Sequence, residues 1–456
     1  MLKLPFESVH FVGIYGSGMS AIAQYLAGKG VVVTGSDRFE LCSETLKIKT
    51  SLENFGCKIF TQDGSGLNDS TSLICISTAI EATNPDLIKA EELGIKIVHR
   101  SDILAQIIKN TRSIAIAGTS GKSTVTAMIF EFLSACDQSP SLITGAPIKR
   151  LEAEGLLGNA YIGDSELLIV EVDESDGSLV KYEPFGTVIL NLSKDHKPEE
   201  EVLDMFKKLI SQSIWTIKNF DDPKLSTLKT DCNFGFNQNA EFPAKRLHTD
   251  KLSSGVMAYG EKFITPLPGA HNSQNLLAAV AVCMHLGCTA TGLAIATPYF
   301  QGIDRRFNIY KTNSDIIVID DFAHNPEKIK AAIKAAQQLS QNVVAIYQPH
   351  GYAPTKFLLE DYAQTFRDIL RPSDNLILLP IYYAGGTAIK NVTSKDILAR
   401  MKELGGLRFE AVAVDDRLDG LTQIAHYIHE QGAILLMGAR DPGLATFRNQ
   451  IINLLN

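Results

Sequence analysis

The 456-residue chain has a single tryptophan, and its seven cysteines include no C-x-x-C pair. That spacing argues against a zinc ribbon or a disulfide scaffold, so the thiols read as buried or idle groups in a reducing compartment. Cys283 and Cys288 lie closest together, in a stretch that reads as helix and loop. Positive charge is in deficit. Forty-three Lys and Arg stand against 51 Asp and Glu, a formal net charge of −8, with no basic block along the chain. Nucleic acid is therefore not an expected partner. No apolar run reaches the length of a membrane span. Met1 to His10 lacks the apolar core of a secretory signal, so the expectation is a water-soluble, cytoplasmic protein with no membrane partner. Low-complexity segments are missing, as is any repeat beyond a recurring strand–helix rhythm.

What remains is an ordinary globular composition, 45% hydrophobic and 21% charged. The length exceeds what one core accommodates, and three domains are expected. The most informative stretch is Ile114-Ala115-Ile116-Ala117-Gly118-Thr119-Ser120-Gly121-Lys122-Ser123-Thr124. An apolar strand feeds a glycine-bracketed turn, and a helical stretch, Val125 to Ala135, follows. Gly118 and Gly121 permit a tight turn whose N–H groups face a common hollow. Lys122 brings a charge for β- and γ-phosphates, Ser123 a hydroxyl for Mg²⁺, and the helix N-terminus favours anions. The generic phosphate loop would place its first glycine at Ile116, so the match to that pattern is partial.

Upstream, Val9-His10-Phe11-Val12 runs into Gly13, Gly16, Ser17, Gly18, Met19 and Ser20, then a helix over Ala21 to Lys29. A second strand, Val31 to Thr34, ends in Gly35-Ser36-Asp37, where a ribose hydroxyl would find an acceptor. The order G-x-x-G-x-G differs from the dinucleotide fingerprint, and a nicotinamide oxidoreductase stays open at this point. Strands follow at Leu73 to Ser77 and Ile95 to Val98, with a helix from Asn84-Pro85 to Leu93 between them. The first unit closes near Asn110.

Downstream, the buried-strand pattern Glu166 to Val172 ends in Asp173-Glu174-Ser175-Asp176, and Gly186 to Leu192 ends in Ser193-Lys194-Asp195-His196. Glu174 and His196 are expected to converge beside Lys122 as metal ligands, since open α/β sheets bind ligands at the C-terminal ends of their strands. Pro266 to Asn275 reads as a lead-in to an alanine-rich helix over Leu276 to Leu286. Beyond Arg305-Arg306-Phe307, strands at Ile316 to Ile319, Val343 to Tyr347, Leu376 to Leu379, Ala411 to Val414 and Ala433 to Met437 alternate with helices as a third α/β unit.

Taken together these motifs resemble the Mur ligases, ATP-dependent amide-forming enzymes of peptidoglycan synthesis, over nearly the whole chain. The nearest branches act on UDP-N-acetylmuramate, adding L-alanine or recycling a murein tripeptide. The resemblance implies a Rossmann-like UDP-binding domain over 1–110, a central phosphate-loop α/β domain over 111–306 and a Rossmann-like C-terminal domain over 307–456. It implies ATP and two Mg²⁺ ions, with a UDP-N-acetylmuramate-type carboxylate and an amino acid (L-alanine first) or short peptide as partners. A monomer or homodimer and a place in cell-shape and division chemistry go with it. By the same resemblance, Gly118 to Thr124 form the ATP loop, Ser123, Glu174 and His196 hold metal, and His271, Asn272 and Asn275 lie on the adenine motif. Arg306 reaches the phosphates, while Asp321 and His324 close over the nucleotide. Gly16 to Ser20, Asp37, Ser77-Thr78-Ala79-Ile80 and Arg100 serve the UDP substrate, and His350, Lys356 and Arg440 the acceptor.

The chain departs from the family pattern at several points. Gly351 and Pro354 stand at usual arginine positions, Lys356 at a third, Ala270 replaces another, and Lys197-Pro198 follows His196 where an acid is usual. The glutamate that usually follows Ala384-Gly385 is missing. Planar bidentate clamps are lost with such arginines, so the acceptor site is where this chain differs most. Amide formation from a carboxylate requires activation as an acyl phosphate in a site closed to water, with hinges expected near Asn110 and Phe307. Competing readings are a folate- or cyanophycin-type ligase, the oxidoreductase, and a muropeptide sensor without chemistry.

Overall fold

The computed structural model describes residues 4–39, 43–194, 197–383, 390–428, 432–441 and 443–456. Among them the strands form four sheets. The first is wholly parallel, in the order Lys58–Thr61, Val32–Asp37, Ser8–Val12, Leu73–Ile76, Lys96–His99. The second runs Phe242–Pro243, Cys232–Gly235, Trp215–Asn219, Gly186–Ile189, Arg112–Ala117, Leu167–Glu171, Ser141–Ile143, Ala160–Tyr161. A three-stranded sheet over Lys245–Leu247, Ser254–Ala258 and Glu261–Thr265 stands apart. The last sheet orders Asn308–Lys311, Ile317–Asp321, Ala433–Gly438, Val343–Gln348, Asn375–Leu378, Glu410–Ala413, antiparallel at its first pair and parallel beyond.

Continuous apolar runs become the central strands because both of their faces are covered by helices. Ile114, Ala115, Ile116 and Ala117 are wholly buried, as are Leu168, Ile169 and Val170 beside them. The strand Arg112–Ala117 lies between Gly186–Ile189 and Leu167–Glu171, so the chain crosses it after Leu167–Glu171 and reverses direction through the sheet. Its C-terminal end is the switch point where doubly wound sheets hold ligands.

Contacts divide the chain into two compact units: Met1–Leu247, Gly255–Pro266 and Ser273–Asp304; and His248–Ser254, Leu267–Asn272 and Arg305–Asn456. The first two sheets thus share one unit, and the expected hinge near Asn110 falls inside it. The reason is a polar clamp on the helix Ser17–Gly28. Asn159 Nδ2 donates to the Ser17 carbonyl at 2.8 Å and to Ser20 Oγ at 2.9 Å, while Gln24 Nε2 donates to Asn159 Oδ1 at 2.9 Å. At the far end of that helix, a Cβ on Gly28 would come within 2.6 Å of Ile162, so only glycine lets the helix approach this closely. Ion pairs Arg100–Asp176 (2.9 Å) and Lys181–Asp102 (2.6 Å) continue the seam.

Several elements begin earlier than the sequence pattern predicts. The first helix starts at Ser17 and the phosphate-loop helix at Lys122, because glycine N-caps at Gly16 and Gly121 leave polar residues free to form the first turn. The lead-in expected over Pro266 to Asn275 is helical from Ala270, since Gly269, at φ 100°, already turns the chain. A helix at Arg100–Lys109, with His99 and Asp102 forming a capping box, is an element the pattern did not reveal.

Asn159→Ala deletes three hydrogen bonds at a buried seam and leaves the Gln24 amide only its bond to the Ser20 carbonyl. A stability loss of about 1–3 kcal/mol is expected, measured as a lowered denaturant midpoint. An unchanged midpoint would show that the seam is held by apolar packing alone.

Candidate functional site

The strand Arg112–Ala117 delivers Gly118 at φ 138° and Gly121 at φ 86°, backbone conformations that a side chain would strain. A Cβ on Gly118 would meet Leu190 and Asn191 at 3.0–3.3 Å, and one on Gly121 would meet Asn275 Oδ1 at 2.5 Å. Asn191 fixes the loop between them: its Oδ1 accepts from the Ser120 N–H and its Nδ2 donates to the Ser120 carbonyl, both at 2.8 Å. Thr119 donates its hydroxyl to the Ser193 carbonyl at 3.2 Å and receives the Ser193 N–H at 3.0 Å. The loop is therefore held open by the neighbouring strand end. No side chain caps the helix Lys122–Ala135, so its first N–H groups face the hollow in the arrangement that suits a phosphate chain.

Lys122 Nζ lies 2.7 Å from Glu174 Oε2 and 3.2 Å from Asp173 Oδ1. Burial disfavours the ammonium, but the two carboxylates outweigh it and raise the Lys122 pKa above the usual lysine range. Burial in turn raises Glu174, opposed by the Lys122 charge. Glu174 thus sits on the lysine. The side chain at Ser123 is a different carboxylate: Ser123 Oγ donates to Glu171 Oε1 at 2.8 Å. Glu171 Oε2 accepts from Thr144 Oγ1 and the Gly145 N–H, each at 2.8 Å. Glu171 and Asn191 are absent from the sequence-predicted set. Asn191 had no signal, whereas Glu171 was hidden at the end of an apolar run, though its place at a strand end was legible. A hydroxyl and a carboxylate side by side are hard oxygen donors of the kind Mg²⁺ takes. His196 lies outside the described residues, and among those described no three His, Cys, Asp or Glu side chains converge on a metal-sized point.

In the first sheet, Gly13 at φ 77° turns the chain beneath the exposed Gly16 and Ser17. Gly18 lies under Arg100, whose Nη1 is 3.5 Å from the position of a Cβ. Met19 and Ser20 instead face inward, Met19 in the apolar core and Ser20 on Asn159. Asp37 Oδ2 accepts from the Tyr15 N–H at 2.8 Å and Oδ1 from the Phe39 N–H at 3.1 Å, which sets this carboxylate beside the glycine turn. Ser77 to Ile80 form the turn after Leu73–Ile76, with Ile80 against Gly13. One rim thus gathers Gly13, Gly16 to Gly18, Asp37 and Arg100.

Asn275 reaches the phosphate loop through Gly121, as the geometry above shows. In the second unit His271 is exposed, and the Asn272 side chain donates to the Pro268 carbonyl at 2.7 Å. There Arg306 packs over the Phe322 ring at 4.8 Å, and Asp321 accepts from the N–H groups of Phe307 (2.8 Å) and Ala323 (2.7 Å). Burial raises Asp321, with Arg306 opposing. Burial, Lys328 and His350 push the His324 imidazole well below its ordinary value, so it is neutral at pH 7. His350 lies 5.4 Å from the His324 ring, whereas Lys356 and Arg440 are exposed. Gly351 adopts φ 69°, ψ 131°, which only glycine takes comfortably.

Residues 8–112 match the Mur ligase family, catalytic domain; residues 116–283 match the Mur ligase middle domain; residues 305–440 match the Mur ligase, glutamate ligase domain. The UDP-N-acetylmuramate–L-alanine ligase of Pelotomaculum thermopropionicum is 32% identical over 452 residues, 95% of each chain. That of Dictyoglomus turgidum is 33% identical, covering 95% of this chain and 94% of its own. The crystal structure of the UDP-N-acetylmuramate–alanine ligase from Thermotoga maritima superposes with a TM-score of 0.79 at 25% identity over 98% of both chains. A murein peptide ligase from Psychrobacter arcticus, at 19% identity over 98% of both chains, shares the fold with a TM-score of 0.70. This chain belongs to the Mur ligase family and is an ATP-dependent amide ligase.

Proposed function

We propose that this enzyme joins L-alanine to the carboxylate of UDP-N-acetylmuramate through an acyl phosphate, in the cytoplasm where ATP and the nucleotide sugar are made. The observation that carries the reading is the phosphate loop held open by Asn191, with Lys122 and the Ser123–Glu171 pair at its mouth. Glycines at 118 and 121 let the loop turn tightly against Leu190, Asn191 and Asn275, where a Cβ would collide, and such a turn suits a triphosphate. Bound ATP supplies the phosphoryl group that activates the carboxylate. Lys122 and Arg306 neutralise the charge that develops on that group. Ser123 and Glu171 would hold one Mg²⁺, and His196 belongs with the second. Glu174 keeps Lys122 charged and aimed. His271, Asn272 and Asn275 serve the adenine, with Asp321 and His324 closing over the nucleotide. The rim around Gly16 to Gly18, Asp37, Ser77 to Ile80 and Arg100 takes the UDP-sugar; His350, Lys356 and Arg440 face the acceptor. Three working domains, 1–110, 111–306 and 307–456, fit this division of labour.

Phosphate release from ATP with UDP-N-acetylmuramate across L-alanine, glycine, L-serine and L-alanyl-γ-D-glutamyl-diaminopimelate tests the reading. The expected preference is for L-alanine. A clear preference for the tripeptide would make this a recycling ligase. Silence with every acceptor would overturn the assignment.

Lys122→Ala removes the phosphate-directed charge, and turnover should fall about a hundred- to a thousandfold. Near-normal turnover would remove the ATP-loop assignment. Glu171→Gln should raise the Mg²⁺ concentration for half-maximal activity more than Glu174→Gln does, because only the former loses a charged oxygen beside Ser123. Equal metal dependence in the two variants would return Glu174 to the metal. At the acceptor site, Gly351→Arg should not create a carboxylate clamp, since φ 69° strains any side chain there by about 1–3 kcal/mol. A lowered KM for L-alanine in that variant would disprove this.

A further inference from the structure

The Asn84-Pro85 pair opens the helix Pro85–Glu92 and sets the direction of the residue that follows it. Asn84 Oδ1 accepts the Asp86 N–H at 3.0 Å, and Pro85 fixes the first helical turn. Asp86 is thereby turned into the C-terminal edge of the first sheet, where it is wholly buried. Its Oδ1 accepts the Gly64 N–H at 2.7 Å, and its Oδ2 accepts the Ser36 hydroxyl. His10 Nε2 stands 3.5 Å from the same Oδ2, with the ring's Nδ1 2.8 Å from Thr34 Oγ1. A Cβ on Gly66 would lie 2.6 Å from His10 Cε1, so only glycine lets the loop 63–66 cover the buried imidazole this closely. Burial opposes the charge on Asp86, but His10, Ser36 and Gly64 outweigh it and hold the carboxyl below the usual carboxylate range.

We propose, on the assignment of the first sheet's rim to the UDP-sugar, that Asp86 is a positioning residue for UDP-N-acetylmuramate, locking the strand-end turns of that rim into one geometry. Ser36 is the link. Its hydroxyl is bound to Asp86, and its carbonyl accepts the N–H groups of Gly13 at 2.8 Å and Ile14 at 3.0 Å, so the glycine turn hangs from this one residue. Asp37 follows it in the chain and takes the Tyr15 N–H of the same turn at 2.8 Å. The bond to Gly64 fixes the loop after Lys58–Thr61. Asp86 itself follows the turn at Ser77 to Ile80, where Ile80 Cδ1 lies 3.3 Å from the position of a Cβ on Gly13. One carboxylate thus joins the turns after Ser8–Val12, Val32–Asp37, Lys58–Thr61 and Leu73–Ile76. Being wholly buried, it acts through Ser36 and Gly64 and not on the ligand. Turns whose N–H groups and acceptor are set in advance bind a nucleotide diphosphate more tightly than turns that must be ordered by it. Without the carboxylate the Gly64 N–H loses its acceptor and Ser36 its anchor.

The test titrates UDP-N-acetylmuramate into the full-length protein by calorimetry and measures KM for it and for ATP in the ligase reaction. Asp86→Ala should weaken UDP-N-acetylmuramate binding and raise its KM about tenfold, the scale of one lost hydrogen bond, with kcat and the KM for ATP within about twofold of wild type. Asp86→Asn should restore most of the affinity, because its oxygen accepts from Gly64 and its amide donates to a Ser36 hydroxyl that has turned round. Ser36→Ala keeps the carbonyl and removes only the link, and it should raise the same KM in the same direction. If Asp86→Ala does not fold, Ser36→Ala and Asp86→Asn decide. Unaltered UDP-N-acetylmuramate binding in Asp86→Ala and Ser36→Ala, or a fall in kcat with both KM values unchanged, would overturn the proposal and leave the function standing. An Asp86→Asn variant no better than Asp86→Ala would also overturn it. Wild-type protein that binds no UDP-N-acetylmuramate would instead overturn the assignment of the rim, and this role for Asp86 with it.

Discussion

The site depends on one buried charge. Lys122 has a side chain only 11% exposed, and an ammonium so enclosed would cost several kcal/mol without partners. Glu174 and Asp173 supply them from the turn after the neighbouring strand. That neighbour is fixed by register, Ile116 opposite Glu171, so the loop carrying the lysine and the turn carrying the acids leave the sheet side by side. An arriving triphosphate would offer the same lysine a larger negative charge. The ion pair therefore keeps the cation charged and nearly in place, so that little rearrangement is needed for it to meet phosphate.

Two glutamates three residues apart serve different partners for a geometric reason. Glu171 is the last residue of its strand, and the pleat directs its side chain toward Ser123, Thr144 and Gly145. Glu174 lies beyond the strand, where the turn brings it round to Lys122. From sequence, the polar run Asp173 to Asp176 drew attention and the acid embedded in the apolar run did not. Hydrophobic pattern locates the strand well, but a functional acid at its end is invisible until pairing shows what lies across from it.

The same distinction runs through the fold. Central strands were legible to within a few residues because burial on both faces writes itself as apolar runs. Helix starts were not, because Ser17, Lys122 and Ala270 follow glycine caps that supply no side-chain signal. The joining of the first two sheets into one unit was hidden too. It rests on Asn159, Gln24, Ser20 and Gly28, residues far apart in sequence whose polar or missing side chains have meaning only once the helix has docked.

In the second unit, backbone strain and a buried acid are coupled. Arg305 and Phe307 flank Arg306 with φ of 52° and 55°, and Arg440 takes φ 65°, conformations that cost about 1 kcal/mol or more each unless surroundings enforce them. Asp320, wholly buried, accepts Arg305 at 3.2 Å and Arg448 at 3.1 Å, and Arg305 also donates to the Gly438 carbonyl at 2.9 Å. One guanidinium thus ties the segment that carries Arg306 to the strand end that leads into Arg440. The Arg305 carbonyl accepts the Phe322 N–H at 2.7 Å, bringing the Phe322 ring under Arg306. Removing Asp320 would leave Arg305 a buried charge without its carboxylate, and the strained turn would lose its anchor. The segments that carry the two arginines are tied together through Asp320 and Arg305, which is why their placement could not be read from their own neighbourhoods in the sequence.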